Sequence, residues 1–492
     1  MLGVERSRLP SFLSYSQTVW VMAIVLILLT FGFGVIYSSF TLFVMHNFGY
    51  TEAAAVTLYS LYVSWFFTVS ILGGFLGGRF GHRECVWVGC FLLFIAYLGF
   101  CSEHWIYWSC ASMSVGMGLF FPNAMVVIGH TQRDKKHKEL SGGYILLYLS
   151  VNIGVLLGGV AAGYLGTLSY QGLFMLAAIL VLLAGWVFVL AYPKIQFSPD
   201  SHSAFQLGRP GVLQRVFWLI VLSVFLSWGI EFLLQNEFLS NTFVITLGVI
   251  SLLALLALGF FSFFGLSMLE RRALRWFTVM ITSTVIFWSL YNLEQSVVVS
   301  FFDRSVNRWI GNFEIPSSFL GSFNAMMDII IGFLLITWFK NFTERFSNPT
   351  RAFSAIILMG LAYWLLAWGA HVSRQENYMS MDWVFFAFII MSVAEMMIGP
   401  LSNAIAIEYG PKSLQGFLMG FGQLAMGVAG SVSDYLNDFG IFSESDSNKI
   451  IIPHMAGAFG LYGFLGVTLG GLLLLFYWSF RNFRQDQKFS LS

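Results

Sequence analysis

Charge is scarce in this chain. Asp, Glu, Lys and Arg make up only 10% of its 492 residues, against about 25% in globular domains. The formal net charge is +1 and no basic patch is visible, which excludes nucleic acid as a partner. Cysteine is rare too. Cys85, Cys90, Cys101 and Cys110 show neither a zinc spacing nor a disulfide framework, so they read as small packing residues and no metal or other cofactor is expected. The chain has no Gly-x-Ser-x-Gly, no His-rich metal box and no nucleotide-binding loop. Its eight His are scattered in or beside loops. These absences argue against an enzyme and against an ATP-driven pump. A cleavable signal peptide is not expected, because the first apolar segment is too long and no small-residue cleavage site follows it.

What the chain has instead is apolar bulk: 58% hydrophobic residues, including 53 Phe, with 48 Gly. This composition points to an all-α polytopic membrane protein. A span needs about 20 apolar residues. Fourteen segments qualify, at about 19–44, 54–77, 85–101, 106–129, 142–164, 170–192, 215–235, 242–268, 276–298, 317–339, 352–371, 382–408, 414–436 and 454–480. With the N-terminus on the cytoplasmic side, all but Arg304, Arg308, Arg374 and Lys449 of the 25 Lys and Arg fall inside. That asymmetry predicts that both termini are cytoplasmic. The lack of long loops favours a bacterial inner membrane.

The spans divide as six, two and six. A polar linker, Pro193 to Gln214, follows the sixth span. The expected parts are a six-helix bundle at 1–192, a linker with an extra helix pair at 193–270, and a second six-helix bundle at 271–492. Two six-span halves resemble the major facilitator plan, whose site lies near the midplane between halves. The loop Gly77-Gly78-Arg79-Phe80-Gly81-His82-Arg83 resembles that superfamily's signature loop, in which Gly allows tight packing and Arg grips neighbouring helix ends. Gly78 stands where the superfamily has an acid.

Few acids lie inside the spans: Glu231, Glu294, Asp328, Glu395 and, near an outer end, Asp434. An intramembrane acid is costly unless paired, hydrated or protonated, and is by default a functional candidate. Glu395 sits near the middle of span twelve, five residues before Pro400, where a lost backbone hydrogen bond lets the helix bend. Asp328 lies about eleven residues into span ten, also near mid-membrane. Glu294 lies in the outer third of span nine. No Lys or Arg sits deep in any span. Desolvation opposes ionisation of such acids, so Glu395, Asp328 and Glu294 are candidates for proton coupling. Alternatively, the missing cation is the substrate itself.

Two helices carry polar stripes. On span five Tyr144, Tyr148 and Asn152 are four apart and share a face; they read as a cavity wall or as interhelical hydrogen bonds. On span ten Asn324 and Asp328 are likewise four apart.

The segments GMGLFFPNAMVVIG, YLSVNIGVLLGGVAAGYLG, IPSSFLGSFN and AEMMIGPLSNAIAIEYGPKSLQGFLMG resemble, in this order, the proton-dependent oligopeptide transporters, as does the extra helix pair. The resemblance is clear over spans four to twelve and weak over the first two. It implies that Glu395 receives a peptide amino group, that Asn152 and Asn324 line the cavity, and that Tyr37 matches a family Tyr on span one. Tyr148 is a further binding candidate. The departures concern charge. Leu29, Gly32 and Phe33 stand where the family has its acid-rich, Glu-Arg-ending proton motif. Phe40 and Phe121 stand where the family has an Arg and a Lys. The span-nine acid falls on Asn292, and only a two-residue slip would place Glu294 there.

A zwitterionic peptide needs an anion for its ammonium and a cation for its carboxylate. The chain offers only the first. The expected activity is therefore secondary, alternating-access transport of di- or tripeptides or of peptide-like, amine-bearing small molecules, coupled to protons. An uncoupled facilitator or exporter of a non-peptide metabolite is the alternative, as is a receptor-like member that binds through the outer loop 301–317. The expected partners are the substrate, protons and the lipid bilayer, with the protein a monomer.

Overall fold

The computed structural model of the chain describes residues 17–50, 52–132, 137–166, 168–191, 211–236, 238–239, 242–243, 246, 249, 253, 268–315, 319–337, 346–409, 415–440 and 447–489. Within these, long apolar runs form helices, because a bilayer offers no water to satisfy backbone groups and a helix satisfies them internally. The helices are α1 (Gln17–Phe48), α2 (Glu52–Phe80), α3 (His82–Gly99), α4 (Ile106–Gln132), α5 (His137–Leu165), α6 (Tyr170–Ala191) and α7 (Val212–Leu234). There follow α8 (Met268–Leu293), a π-helical turn (Glu294–Val298) and α9 (Val299–Ser305). The last are α10 (Phe319–Thr337), α11 (Asn348–Val372), α12 (Met381–Tyr409), α13 (Gln415–Asn437) and α14 (Asn448–Phe489).

Among the described residues, eleven helices are long and apolar enough to cross a membrane, and Leu320–Leu335 forms a shorter apolar helix. Helix α13 stands where the thirteenth span was expected. The eighth expected span, 242–268, lies almost wholly outside the described residues. The structure also holds two small strand pairs that periodicity did not suggest. Strands β1 (Val306–Asn307) and β4 (Met379–Ser380) pair in parallel. Strands β2 (Trp309–Ile310) and β3 (Phe313–Glu314) form a hairpin that turns at Gly311, φ 60°, a conformation glycine adopts without steric cost. Arg308 holds this hairpin by ion pairs to Glu314 at 2.8 Å and Asp303 at 3.4 Å.

The chain forms two compact units. The first comprises Met1–Leu274, Gly332–Glu344 and Asn403–Leu424; the second comprises Arg275–Ile331, Arg345–Ser402 and Ala425–Ser492. In the first unit α1 and α5 meet backbone to backbone: a Cβ at Gly158 would overlap the Phe31 carbonyl, and one at Gly34 the Val155 carbonyl. The Thr30 hydroxyl donates to Val151 O at 3.1 Å across the same seam. Small residues allow this approach where lipid gives no hydrophobic drive to association. In the second unit Gly360 of α11 and Gly463, Gly466 and Gly470 of α14 form an equivalent seam.

Glycine in the loop at the end of α2 allows close packing against α4. A Cβ at Gly77 would overlap the Asn123 side chain. Asn123 donates to Gly73 O at 2.8 Å, and its carbonyl oxygen meets His82 Nδ1 at 2.6 Å. At this loop His82 contacts α4, while Glu84 pairs with Arg215 of α7 at 3.1 Å. Helix α7 packs on one stripe, Leu219, Ser223, Ser227, Ile230 and Leu234. Its Phe217, Phe225, Trp228 and Phe232 are exposed, as lipid-facing residues of a membrane helix would be. Glu231 is half-buried near its end. Cys85, Cys90 and Cys110 are buried, Cys101 is half-buried, and all four are free thiols.

Candidate functional site

The second unit holds three of the intramembrane acids, Glu294, Asp328 and Glu395, while Glu231 lies in the first. Asn324 and Asp328, four apart on α10, turn inward together; Asn324 is 4% and Asp328 1% exposed. On α12, Ser392 and Glu395 are three apart and share a face; Glu395 is 3% exposed. Asn324 ties the helices together. Its Nδ2 donates to Tyr291 Oη on α8 at 2.7 Å and to Glu395 Oε2 at 3.2 Å. Its Oδ1 accepts from the Ser392 hydroxyl at 2.7 Å. Three of the four hydrogen-bonding positions of one amide are thus spent on three side chains from two other helices. Pro400 lies inside α12, which continues to Tyr409.

Asp328 completes the arrangement. Its carboxyl, 1% exposed, lies within interaction range of the Glu395 carboxyl and of Ser392. An ionised carboxylate only accepts, so a bond between two carboxyls requires a proton held by one of them. Helices α10 and α12 contain no Lys or Arg along their length. The pair can therefore hold a proton or face a cationic ligand, and like-charge repulsion opposes both carboxyls being ionised together.

Glu294 joins this group from α8. It is fully buried, whereas Asn292 is half-buried, and it lies close enough to Asp328 to interact electrostatically. Glu294 opens the π-helical turn. Such a turn, frequent at functional sites, inserts a residue into the helix and changes which side chains face inward. Of the two residues considered for the span-nine acid position, Glu294 is the more deeply buried. Among the described residues no group of three or more His, Cys, Asp or Glu is arranged to hold a metal ion.

The candidates on span one and span five lie in the first unit. Tyr37 on α1 is 44% exposed, while Tyr148 and Asn152 on α5 are half-buried. Tyr37 stacks on Phe33, ring centroids 6.3 Å apart. The side chain of Tyr144 lies outside the described set, as does that of Asp434. The positions where charge was missing are filled by apolar packing. Leu29 is buried, and a Cβ at Gly32 already meets the Tyr97 phenol. Phe40 packs between Tyr59 and Phe100, and Phe121 lies against Phe66.

Sequence reasoning did not single out Tyr291, Ser392 or Tyr363. Ser392 had a signal, its three-residue spacing from Glu395. Tyr291 and Tyr363 had none, because their partners lie on other helices, 33 and 73 residues away.

The chain is 25% identical over 452 residues to the uncharacterized transporter YclF of Bacillus subtilis (strain 168), covering 89% of this chain and 88% of that one. It is 23% identical over 435 residues to dipeptide and tripeptide permease A of Pectobacterium carotovorum subsp. carotovorum (strain PC1), covering 87% and 83%. In fold it is similar to a crystal structure of peptide transporter POT in complex with sulfate, with TM-score 0.69, 17% identity and coverage of 94% and 95%. It is equally similar to a bacterial homologue of the human drug peptide transporters PepT1 and PepT2, with TM-score 0.69, 16% identity and coverage of 94% and 98%. The Major Facilitator Superfamily model matches residues 22–433, and with the helical fold described above this means that the chain belongs to the Major Facilitator Superfamily.

Proposed function

We propose that this protein is a secondary, alternating-access transporter of di- or tripeptides or peptide-like, amine-bearing small molecules, coupled to protons, and not an enzyme. The observation that carries the reading is the Asn324–Glu395–Asp328 network. A buried carboxylate pair oriented by an amide suits an ammonium group, and a carboxyl–carboxyl hydrogen bond requires a proton. In this reading Glu395 anchors the substrate amine. Asn324, Asn152, Tyr37 and Tyr148 contribute to substrate binding, and Asp328 and Glu294 share the proton with Glu395. The names of the relatives support peptides as the substrate class. The apolar packing at Gly32, Phe40 and Phe121 favours substrates without a free carboxylate within that class.

The proposed organisation keeps 1–192 and 271–492 as the two six-helix bundles, with 193–270 as linker and extra pair. It places the protein as a monomer in a bacterial inner membrane with both termini cytoplasmic.

Ligand-induced thermal stabilisation of the purified protein tests the reading. The panel holds dipeptides, amino acids, polyamines and other amines at pH 5.5 and 7.5, and a ligand that binds the folded state stabilises it by mass action. Amines or peptide-like compounds are expected to stabilise the wild type. Glu395→Gln is expected to fold and to bind the same compound about 10- to 100-fold more weakly, the worth of one charge-assisted hydrogen bond. Wild-type affinity in Glu395→Gln would return Glu395 to a structural role. Dipeptides that win over all free amines would refute the preference for substrates without a carboxylate.

A further inference from the structure

We infer that Tyr363 is a positioning residue for Glu294, acting through the backbone of α8; this rests on the reading of Glu294 as a proton-sharing group. Tyr363 lies on α11 and is fully buried. Its hydroxyl donates to Leu290 O at 2.7 Å. In an α-helix the carbonyl of Leu290 accepts the amide of residue 294. A side chain that competes for a carbonyl of the i→i−4 ladder is a recognised cause of local distortion. Here the competition falls one turn before Glu294, where the helix passes into the π-helical turn.

The tyrosine is held from behind. Its ring meets Tyr462 edge-on at 5.4 Å and Phe459 at 6.2 Å, both on α14, and α14 is pressed against α11 along the glycine seam. Tyr462 itself donates to Leu436 O at 2.8 Å. The π-helical turn is fitted on another side as well, since a Cβ at Gly440 would overlap Val297. The hydroxyl of Tyr363 is therefore delivered to Leu290 by a rigid pair of helices. What it sets is the helical register at which Glu294 enters the bundle. Among the described residues, the titratable groups that interact with Glu294 include Asp328 of α10 and Tyr363 of α11. Glu395 of α12 stands beyond Asp328, and Tyr462 of α14 beyond Tyr363.

Tyr363→Phe removes the hydroxyl and keeps the ring packing. The test follows carboxyl protonation by infrared difference spectroscopy of purified protein between pH 5 and 9, without substrate. The Glu294 band is identified by its loss in Glu294→Gln. The expected result is a displacement of that band's titration midpoint by roughly 0.5 to 1 pH unit in Tyr363→Phe, the worth of one hydrogen bond. Tyr462→Phe, which loses a neighbouring hydroxyl bonded to α13, should leave the midpoint in place. An unmoved midpoint in Tyr363→Phe, or an equal movement in Tyr462→Phe, overturns the proposal. If Tyr363→Phe does not accumulate, fluorotyrosine at 363 keeps the shape and makes the hydroxyl a stronger donor to Leu290 O, and a displacement of the midpoint in the opposite direction is required. The absence of any pH-dependent Glu294 band would instead sink the proton-sharing reading itself. A shifted band with no detectable transport would leave the positioning role standing and remove only the transport reading.

Discussion

Exchanging the amide of Asn324 for other groups separates the two jobs proposed for the network, holding helices together and holding a proton. Asn324→Ala deletes three hydrogen bonds, to Tyr291 at 2.7 Å, to Glu395 at 3.2 Å and from Ser392 at 2.7 Å. Interhelical hydrogen bonds in membrane proteins are worth about 0.6 kcal/mol each on average. Three of them come to about 2 kcal/mol. Orphaned buried partners cost up to about 1–3 kcal/mol more. The predicted loss is thus about 2–5 kcal/mol, and it should vary little with pH.

Asn324→Asp has the same shape and still accepts from Ser392, but it replaces the donor of two bonds with an oxygen. Tyr291 can turn its hydroxyl to donate instead; an ionised Glu395 cannot. At the present 3.2 Å, two ionised carboxylates would repel by on the order of 5 kcal/mol at an effective dielectric constant of about 20. A proton between them removes the repulsion and restores a hydrogen bond. Asn324→Asp should therefore unfold near the wild-type temperature at pH 5 and well below it at pH 8 to 9, its stability present while the added carboxyl keeps its proton and lost as pH rises. Thermal unfolding followed by tryptophan fluorescence in detergent measures both variants. If Asn324→Asp tracks the wild type across this range, or Asn324→Ala costs less than about 0.5 kcal/mol, the network is not the strut described here.

Other substitutions probe the frame around the site. Gly360→Leu drives a side chain into the backbone of Gly463, Gly466 and Val467; a seam with no room to yield should keep the protein from accumulating in the membrane, which size-exclusion profiles of extracts would show. Arg215→Ala leaves Glu84, 9% exposed, without its ion-pair partner. Because Arg215 is 27% exposed, solvent already screens the pair, and the loss should stay near 1 kcal/mol. Hydrogen exchange should rise in residues 212–234 while ligand binding persists. Unchanged exchange there would mean that the apolar stripe alone holds α7.

The helices of this protein were legible because a bilayer leaves a chain little choice. A run of about 20 apolar residues must satisfy its own backbone, so Gln17–Phe48 or Tyr170–Ala191 can be read without knowing any neighbour. The acids were legible for the same reason, since a carboxyl at mid-span is an energetic exception. Periodicity went one step further and put Asn324 and Asp328 on one face of α10. It could not say which helix that face meets. That Asn324 reaches Tyr291, Ser392 and Glu395 depends on how α8, α10 and α12 pack, a matter of side-chain shape along whole helices.

The clearest case is span nine. The family resemblance, aligned without gaps, put the span-nine acid on Asn292 rather than Glu294, and the helix leaves its regular pitch at Glu294. Val297 packed under Gly440 and the Tyr363 hydroxyl on Leu290 are contacts between segments 73 or more residues apart. They accompany a π-helical turn that no local pattern announces. Composition and spacing determined that this is an all-α membrane protein with an acid at position 395. Only tertiary packing decided that three carboxyls share one buried cluster, because the pull on a backbone carbonyl from another helix is invisible to any window of the sequence.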